Sequence, residues 1–161
     1  METIFRPFRR SDFETLWKID QECFPPGIAY SKHELSDYIQ RRKSFTLVAE
    51  VMDENRRPWD PEAPPSGIMG FIVAESTARG IGHIITVDVL PAARRTGTGS
   101  KLLTAAEDWL REARCFRVRL EAAVDNEPAL AFYKRHGYAV AGRISQYYET
   151  GLDAFSLEKE L

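Results

Sequence analysis

Residues 87–103 read VDVLPAARRTGTGSKLL, and no other stretch of the chain narrows its possible folds so far. The apolar, β-branched start predicts a buried strand. Pro91 ends that strand by removing a backbone donor. A basic, glycine-rich turn follows, after which Leu102, Leu103, Ala106, Leu110 and Ala113 recur at helical spacing. The turn therefore joins a strand end to a helix N-terminus, where free N–H groups converge and the helix dipole favours an anion. Gly97 and Gly99 carry no Cβ, so a bulky ligand can lie on the main chain itself. Together these features predict a pyrophosphate site.

The rest of the chain bounds the class of protein around that site. A length of 161 residues predicts one domain, 1–161, with room for a sizeable core. The 43% apolar and 29% charged content is that of a soluble globular protein. A net charge of -2 gives no field that would hold nucleic acid or an anionic membrane, and local positive charge crowds the glycine turn at Arg94, Arg95 and Lys101. No apolar run approaches the ~20 residues that span a bilayer. The first residues lack the basic and apolar regions of a signal peptide. Cys23 and Cys115 have no metal-ligand spacing, so no metal is expected, and two reduced thiols in the cytoplasm are the default reading.

In chain order, residues 3–8 alternate as an opening strand. Ser11 or Asp12 caps a helix with Phe13, Leu16, Trp17, Ile19 and Cys23 on its apolar face. Phe24, Pro25, Pro26, Gly27, Ile28, Ala29 and Tyr30 form a loop, since two prolines and a glycine exclude regular structure. Ser31 caps a second, short helix through Leu35, Tyr38 and Ile39. Strands follow at 45–51 and 68–74, joined by an elaborated connection, 53–67, that holds four prolines and Trp59. Trp59 either packs back as an anchor or joins a binding surface. The fourth strand, 82–89, runs into the glycine turn, whose helix ends near Arg114, and residues 117–122 make a fifth. Asn126 caps a helix with Leu130, Phe132 and Tyr133 inward, and Gly137 closes it in a left-handed turn. Residues 138–144 and 154–157 close as a hairpin. The pattern predicts an α+β fold with a mixed sheet of about seven strands and about four helices.

Two familiar phosphate motifs fail on spacing. A P-loop requires lysine directly after its second glycine, and Ser100 separates Gly99 from Lys101. A dinucleotide fingerprint requires a third glycine where Leu102 stands. What matches is Arg94-x-x-Gly97-x-Gly99, preceded by Val89-x-Pro91, which resembles the acetyl-CoA signature of the GCN5-related N-acetyltransferase (GNAT) family. A second block strengthens the resemblance: Leu120-Glu121, then Asn126, Ala129, Phe132-Tyr133 and Gly137-Tyr138. Phe24-Pro25 with Tyr30, and Tyr147-Tyr148, look most like the protein N-terminal acetyltransferase branch that includes ribosomal-protein alanine acetyltransferases. The 53–67 connection is longer than the tight hairpin usual there.

The resemblance implies a mostly antiparallel sheet that a bulge splays between its fourth and fifth strands, with acetyl-CoA in the opening. Main-chain N–H groups from Arg94 through Arg95, Thr96, Gly97, Thr98 and Gly99 to Ser100 are expected to hold the pyrophosphate. The edge at Val87 and Val89 pairs with the pantetheine, with a backbone N–H near Val89 facing the thioester oxygen, and Asn126 bonds the cofactor chain. Arg94 and Arg95 either contact CoA phosphates or stand as surface charges. Acyl transfer to an amine also needs a base and an acid. Glu121 is the first candidate base, although an unperturbed carboxylate with pKa ~4.3 is weak toward an ammonium without burial or a relaying water. His83, on the neighbouring strand facing the same groove, is the second. Tyr133 is the candidate acid for the departing thiolate. Phe24, Pro25, Ile28, Tyr30 and Tyr147 are the candidate acceptor contacts, with a plain hydrophobic plug as the alternative. Asp88 stays unassigned. Cys23 and Cys115 read as core thiols, so direct attack by the amine is expected, without an acyl-enzyme. The acceptor is a protein N-terminus, a small amine or a lysine, and the protein a monomer or a homodimer; a CoA-binding module without catalysis is the reading from another class.

Overall fold

The computed structural model describes residues 2–52 and 67–161. Most of the 53–67 connection, Trp59 included, lies outside the described residues. In chain order the elements are β1 (Thr3–Pro7), α1 (Phe13–Cys23), α2 (Lys32–Gln40), β2 (Ser44–Val51), β3 (Ile68–Ser76), β4 (Ile81–Val89), α3 (Thr98–Glu112), β5 (Arg117–Ala123), α4 (Glu127–Arg135), β6 (Ala139–Ile144) and β7 (Ala154–Glu160). The strands form one sheet in the order β1-β2-β3-β4-β5-β7-β6, antiparallel throughout except where β4 meets β5. This is the mixed, mostly antiparallel α+β sheet expected.

Apolar patterning explains the layers. β3 is a nearly continuous apolar run and is buried along most of its length, as a central strand should be. On one sheet face α3 buries Leu102, Leu103, Ala106 and Leu110 against Ile72, Ile84, Val118 and Leu120. On the other, Leu16 and Ile19 of α1 and Leu35 of α2 pack on Val48, Phe71 and Val73. Each fully buried leucine, isoleucine, valine or phenylalanine here contributes about 1.5–3 kcal/mol. Ala113 is exposed, because α3 ends at Glu112 and Arg114 takes φ 66°.

Two local expectations hold and one does not. The Ser31 side chain accepts from the Glu34 N–H and the Glu34 carboxylate reaches back to Ser31 N–H, a complete capping box on α2. The Asn126 side chain accepts from Ala129 N–H at 3.3 Å at the start of α4, and Gly137 closes that helix at φ 91°. At α1, Asp12 holds the cap position but makes no side-chain bond to the helix. Its carboxylate instead takes two bonds from the Arg6 guanidinium, 2.8 and 2.9 Å, while Glu50 accepts from Arg6 Nε at 2.6 Å. A buried guanidinium needs anionic partners more than a helix end needs a cap.

Candidate active site

The opening in the sheet comes from one extra residue. β4 and β5 pair only from Ile81 opposite Arg117 to His83 opposite Arg119. Against β3, the register jumps from Thr86 opposite Val73 to Ile84 opposite Ala74, so Ile85 has no opposite number. Such a bulge bends its strand and raises its twist. Beyond it β4 and β5 separate. Leu90 N–H donates to Met69 O at 2.8 Å, which fixes the alternation of the β3–β4 ladder. Antiparallel pairs alternate between bonded and non-bonded, so the main-chain groups of Val87 and Val89 turn away from β3 toward the side that β5 has left.

The turn after β4 supplies donors. Arg95 at φ 64° and Gly97 at φ 85° carry the main chain through left-handed conformations into α3. Among the described residues, the N–H groups of Arg95, Thr96, Gly97, Thr98, Gly99 and Ser100 have no main-chain acceptor. Thr96 and Thr98 turn their hydroxyls toward each other at 2.8 Å, and Thr96 Oγ1 also donates to Ala93 O. Thr98 is buried and Thr96 exposed, and neither lines the cavity between β4 and β5. Arg94 differs from expectation, since its N–H donates to Pro91 O at 3.3 Å and its Nε to Val89 O at 3.0 Å. The ring of His136 braces the turn from α4: an Nδ1–H donated to Phe132 O at 2.7 Å leaves Nε2 to accept from Ser100 Oγ at 2.9 Å.

A cavity of about 890 Å³ runs through the splay. Val87, Val89, Arg94, Arg95, Gly97, Gly99, Ser100, Asn126 and Tyr133 are among its lining residues, and so are Phe24, Pro25, Ile28, Tyr30, Tyr147 and Glu121. The cavity also takes in Cys23, Arg135 and Tyr148. Arg135 had no legible signal, because a basic residue in the last turn of a helix is ordinary.

Glu121 and His83, read separately from the sequence, are partners. His83 Nε2 lies 2.6 Å from Glu121 Oε2, and Arg119 Nη1 lies 2.7 Å from Glu121 Oε1. Burial works to raise the Glu121 carboxyl, but the His83 hydrogen bond and the nearby charges of His83 and Arg119 outweigh it and hold the group below its usual range. An ionised carboxylate only accepts, so His83 Nε2 carries the hydrogen. Glu121 reaches the cavity; His83 is not among its lining residues and stands behind Glu121, with Glu75 Oε1 3.9 Å from its other nitrogen.

Tyr133 is buried on α4, edge-on to Phe132 and Tyr138, and burial raises its phenol well above the ordinary range. Tyr30 is an anchor at every polar atom. Its N–H donates to Asp20 Oδ2 at 2.7 Å and its hydroxyl to Ile85 O at 3.2 Å. Its carbonyl accepts from Trp17 Nε1 at 3.2 Å and Gln21 Nε2 at 2.7 Å. The Cys23 thiol donates to Val89 O at 3.5 Å, and burial pushes it up to about 11, which leaves no nucleophilic thiolate near neutral pH.

A splayed sheet with a row of free amides at one end and a carboxylate–imidazole pair at the other is a frame for group transfer. Comparison with known proteins says which kind. Residues 13–138 match the acetyltransferase (GNAT) family. An N-alpha-acetyltransferase of Sulfurisphaera tokodaii is 35% identical over 168 residues, covering 97% of this chain and 92% of its own. N-alpha-acetyltransferase MAK3 of Arabidopsis thaliana is 42% identical over 77 residues, which are 48% of this chain and 40% of that protein. Among solved structures, a chain of the NatC complex bound to Gag peptide and CoA superposes with a TM-score of 0.78 and 25% identity, covering 100% of this chain and 99% of its own. The chain belongs to the GNAT family and is an acetyltransferase. Among the described residues there is no cluster of side chains fit to hold a metal, and no helix long and apolar enough to cross a membrane.

Proposed function

We propose that this chain, acting as one domain in the cytoplasm, moves an acetyl group from acetyl-CoA to the α-amine of a protein or peptide N-terminus. The observation that carries the reading is the cavity itself: free amides at the glycine turn, outward-facing main chain at Val87 and Val89, and Glu121 with Tyr133 share its walls. The residues present fit a CoA ester. Six successive N–H groups at a helix start suit a pyrophosphate, and Arg95 and Arg135 add positive charge beside them. Gly99 keeps the main chain accessible, with Phe132 and Val89 as its nearest neighbours.

Acetyl-CoA supplies the acetyl group as a thioester. Val87 and Val89 offer strand-like main-chain bonds that align the donor along β4, and a backbone N–H near Val89 polarises the carbonyl. Glu121 takes the ammonium proton through a water, and His83 orients Glu121 from behind. Tyr133, kept protonated by burial, gives its proton to the departing thiolate. The loop bearing Phe24, Pro25, Ile28 and Tyr30, with Tyr147 opposite, receives the acceptor. Relatives named N-alpha-acetyltransferases support an α-amine over other amines, as does a structural neighbour that holds a peptide and CoA together.

The test is thiol release from acetyl-CoA with a panel of octapeptides that differ in their first two residues. Release that depends on a free α-amine is expected. Release that is indifferent to blocking that amine overturns the reading.

A further inference from the structure

Asp20, near the end of α1, and Asp88, on β4, are each 0% exposed. Their elements pack on each other, and the two carboxyl groups lie near enough to act on one another across the α1–β4 interface. Asp20 Oδ2 accepts from Tyr30 N–H at 2.7 Å, and Asp88 Oδ1 accepts from the Thr86 hydroxyl. The other two oxygens, Asp20 Oδ1 and Asp88 Oδ2, are fully buried and find no donor among the described residues. Two ionised carboxylates offer only acceptors. Pressed together in an apolar interior without a cation, they repel and leave both free oxygens unsatisfied. One hydrogen between them cures both faults.

We infer that Asp20 and Asp88 share a single proton, and that this proton fastens the acceptor loop, through the main chain of Tyr30, to the strand that aligns the donor. Asp88 lies between Val87 and Val89, whose main chain faces the cavity. Tyr30, Ile28 and Phe24 stand in the cavity's acceptor wall. The pair therefore sets the spacing between the two walls from behind, without touching either substrate. It is a positioning pair, and its role in acceptor binding rests on the function proposed above.

The groups around the pair allow a clean titration. Burial is the main cause that raises both carboxyls, and for Asp88 the contact with Asp20 adds to it. Cys23 on α1 is pushed up to about 11, while Tyr30 in the loop and Tyr133 on α4 are raised further still. All three stay neutral through the range of interest. Glu34 on α2 bears on Asp20 as a charge, and Arg94 in the turn lies beside Cys23. In the unfolded chain both aspartates ionise near pH ~4. Above that pH the folded state holds one proton more, so the pair's contribution to stability falls as pH rises toward its raised midpoint.

The experiment compares the intact protein with Asp88→Asn, whose amide repeats the donor and the acceptor of the neutral acid without a proton to lose. Melting temperature is measured from pH 5 to 9. The parent is expected to lose stability with rising pH more steeply than Asp88→Asn, with the gap widening by about 3–5 °C across the range. In parallel, KM for the fastest octapeptide of the panel is expected to rise with pH in the parent and stay within about twofold in Asp88→Asn. Asp88→Ala is expected to raise it about tenfold at every pH with little change in kcat. Identical melting profiles for parent and Asp88→Asn overturn the shared proton. A flattened profile with KM unmoved in both variants overturns the fastening role. A flattened profile in a protein that acetylates no peptide leaves the shared proton standing and removes the proposed acceptor instead.

Discussion

At the scale of single residues, burial and hydrogen bonding push two side chains of the cavity in opposite directions. Tyr133 is raised by burial and keeps its proton, while Glu121 is lowered by His83 and Arg119 against burial and stays ionised. Tyr133→Phe removes the hydroxyl and keeps the ring contacts, so kcat is expected to fall about 100-fold with acetyl-CoA affinity little changed; steady-state kinetics with a binding isotherm checks it. For Glu121 the sign follows from its depressed carboxyl. Its pairing stabilises the fold above the unfolded value of about 4.3, and this is lost as pH falls through the folded value. Glu121→Gln is therefore expected to melt below the parent at pH 7, with the difference closing toward pH 3, as calorimetry across that range would report. Both residues were legible in the chain because they sit in motif blocks with fixed spacing. The hydrogen-bond partners of Glu121 were not. The His83–Glu121 bond depends on Ile81 standing opposite Arg117, a strand register that no local pattern encodes. The Asp20–Asp88 contact likewise joins residues from α1 and β4 that only the folded sheet brings together.

At the scale of elements, the strand–turn–helix from β4 to α3 does what its sequence says, for local reasons. Gly97 holds φ 85°, and a Cβ added there meets nothing within 4 Å. Gly97→Ala thus isolates backbone strain from crowding, and a loss of about 1 kcal/mol is expected; an unchanged urea midpoint would contradict the left-handed turn. The Asn126 cap is a second local device, and Asn126→Ala is expected to cost about 1 kcal/mol by the same measurement. Caps and left-handed closures such as Ser31, Asn126 and Gly137 can be read from a few neighbouring residues. The start of α1 cannot, because Asp12 is drawn to Arg6, and Arg6 also reaches Glu50 at a position 44 residues on. The family resemblance implies a bulge, but its position at Ile85 is silent in sequence, since it is defined only against β3.

At the scale of the whole molecule, one sheet is closed at Ile81–His83 and open beyond Ile85, so its two halves lend walls to a single cavity. A ligand that spans those walls binds the folded chain alone. Acetyl-CoA at 100 times its Kd is expected to add about 2.7 kcal/mol of stability, and NAD and ATP nothing comparable; a thermal scan with each separates them. The most direct trial follows the acetyl group itself. An octapeptide with a free α-amine and one internal lysine is incubated with the protein and acetyl-CoA, and fragment-ion mass spectrometry locates the added acetyl. The proposed function predicts acetyl on the α-nitrogen, at a rate that falls sharply in Tyr133→Phe. Acetyl on the lysine, or on neither amine while acetyl-CoA still binds, would contradict it.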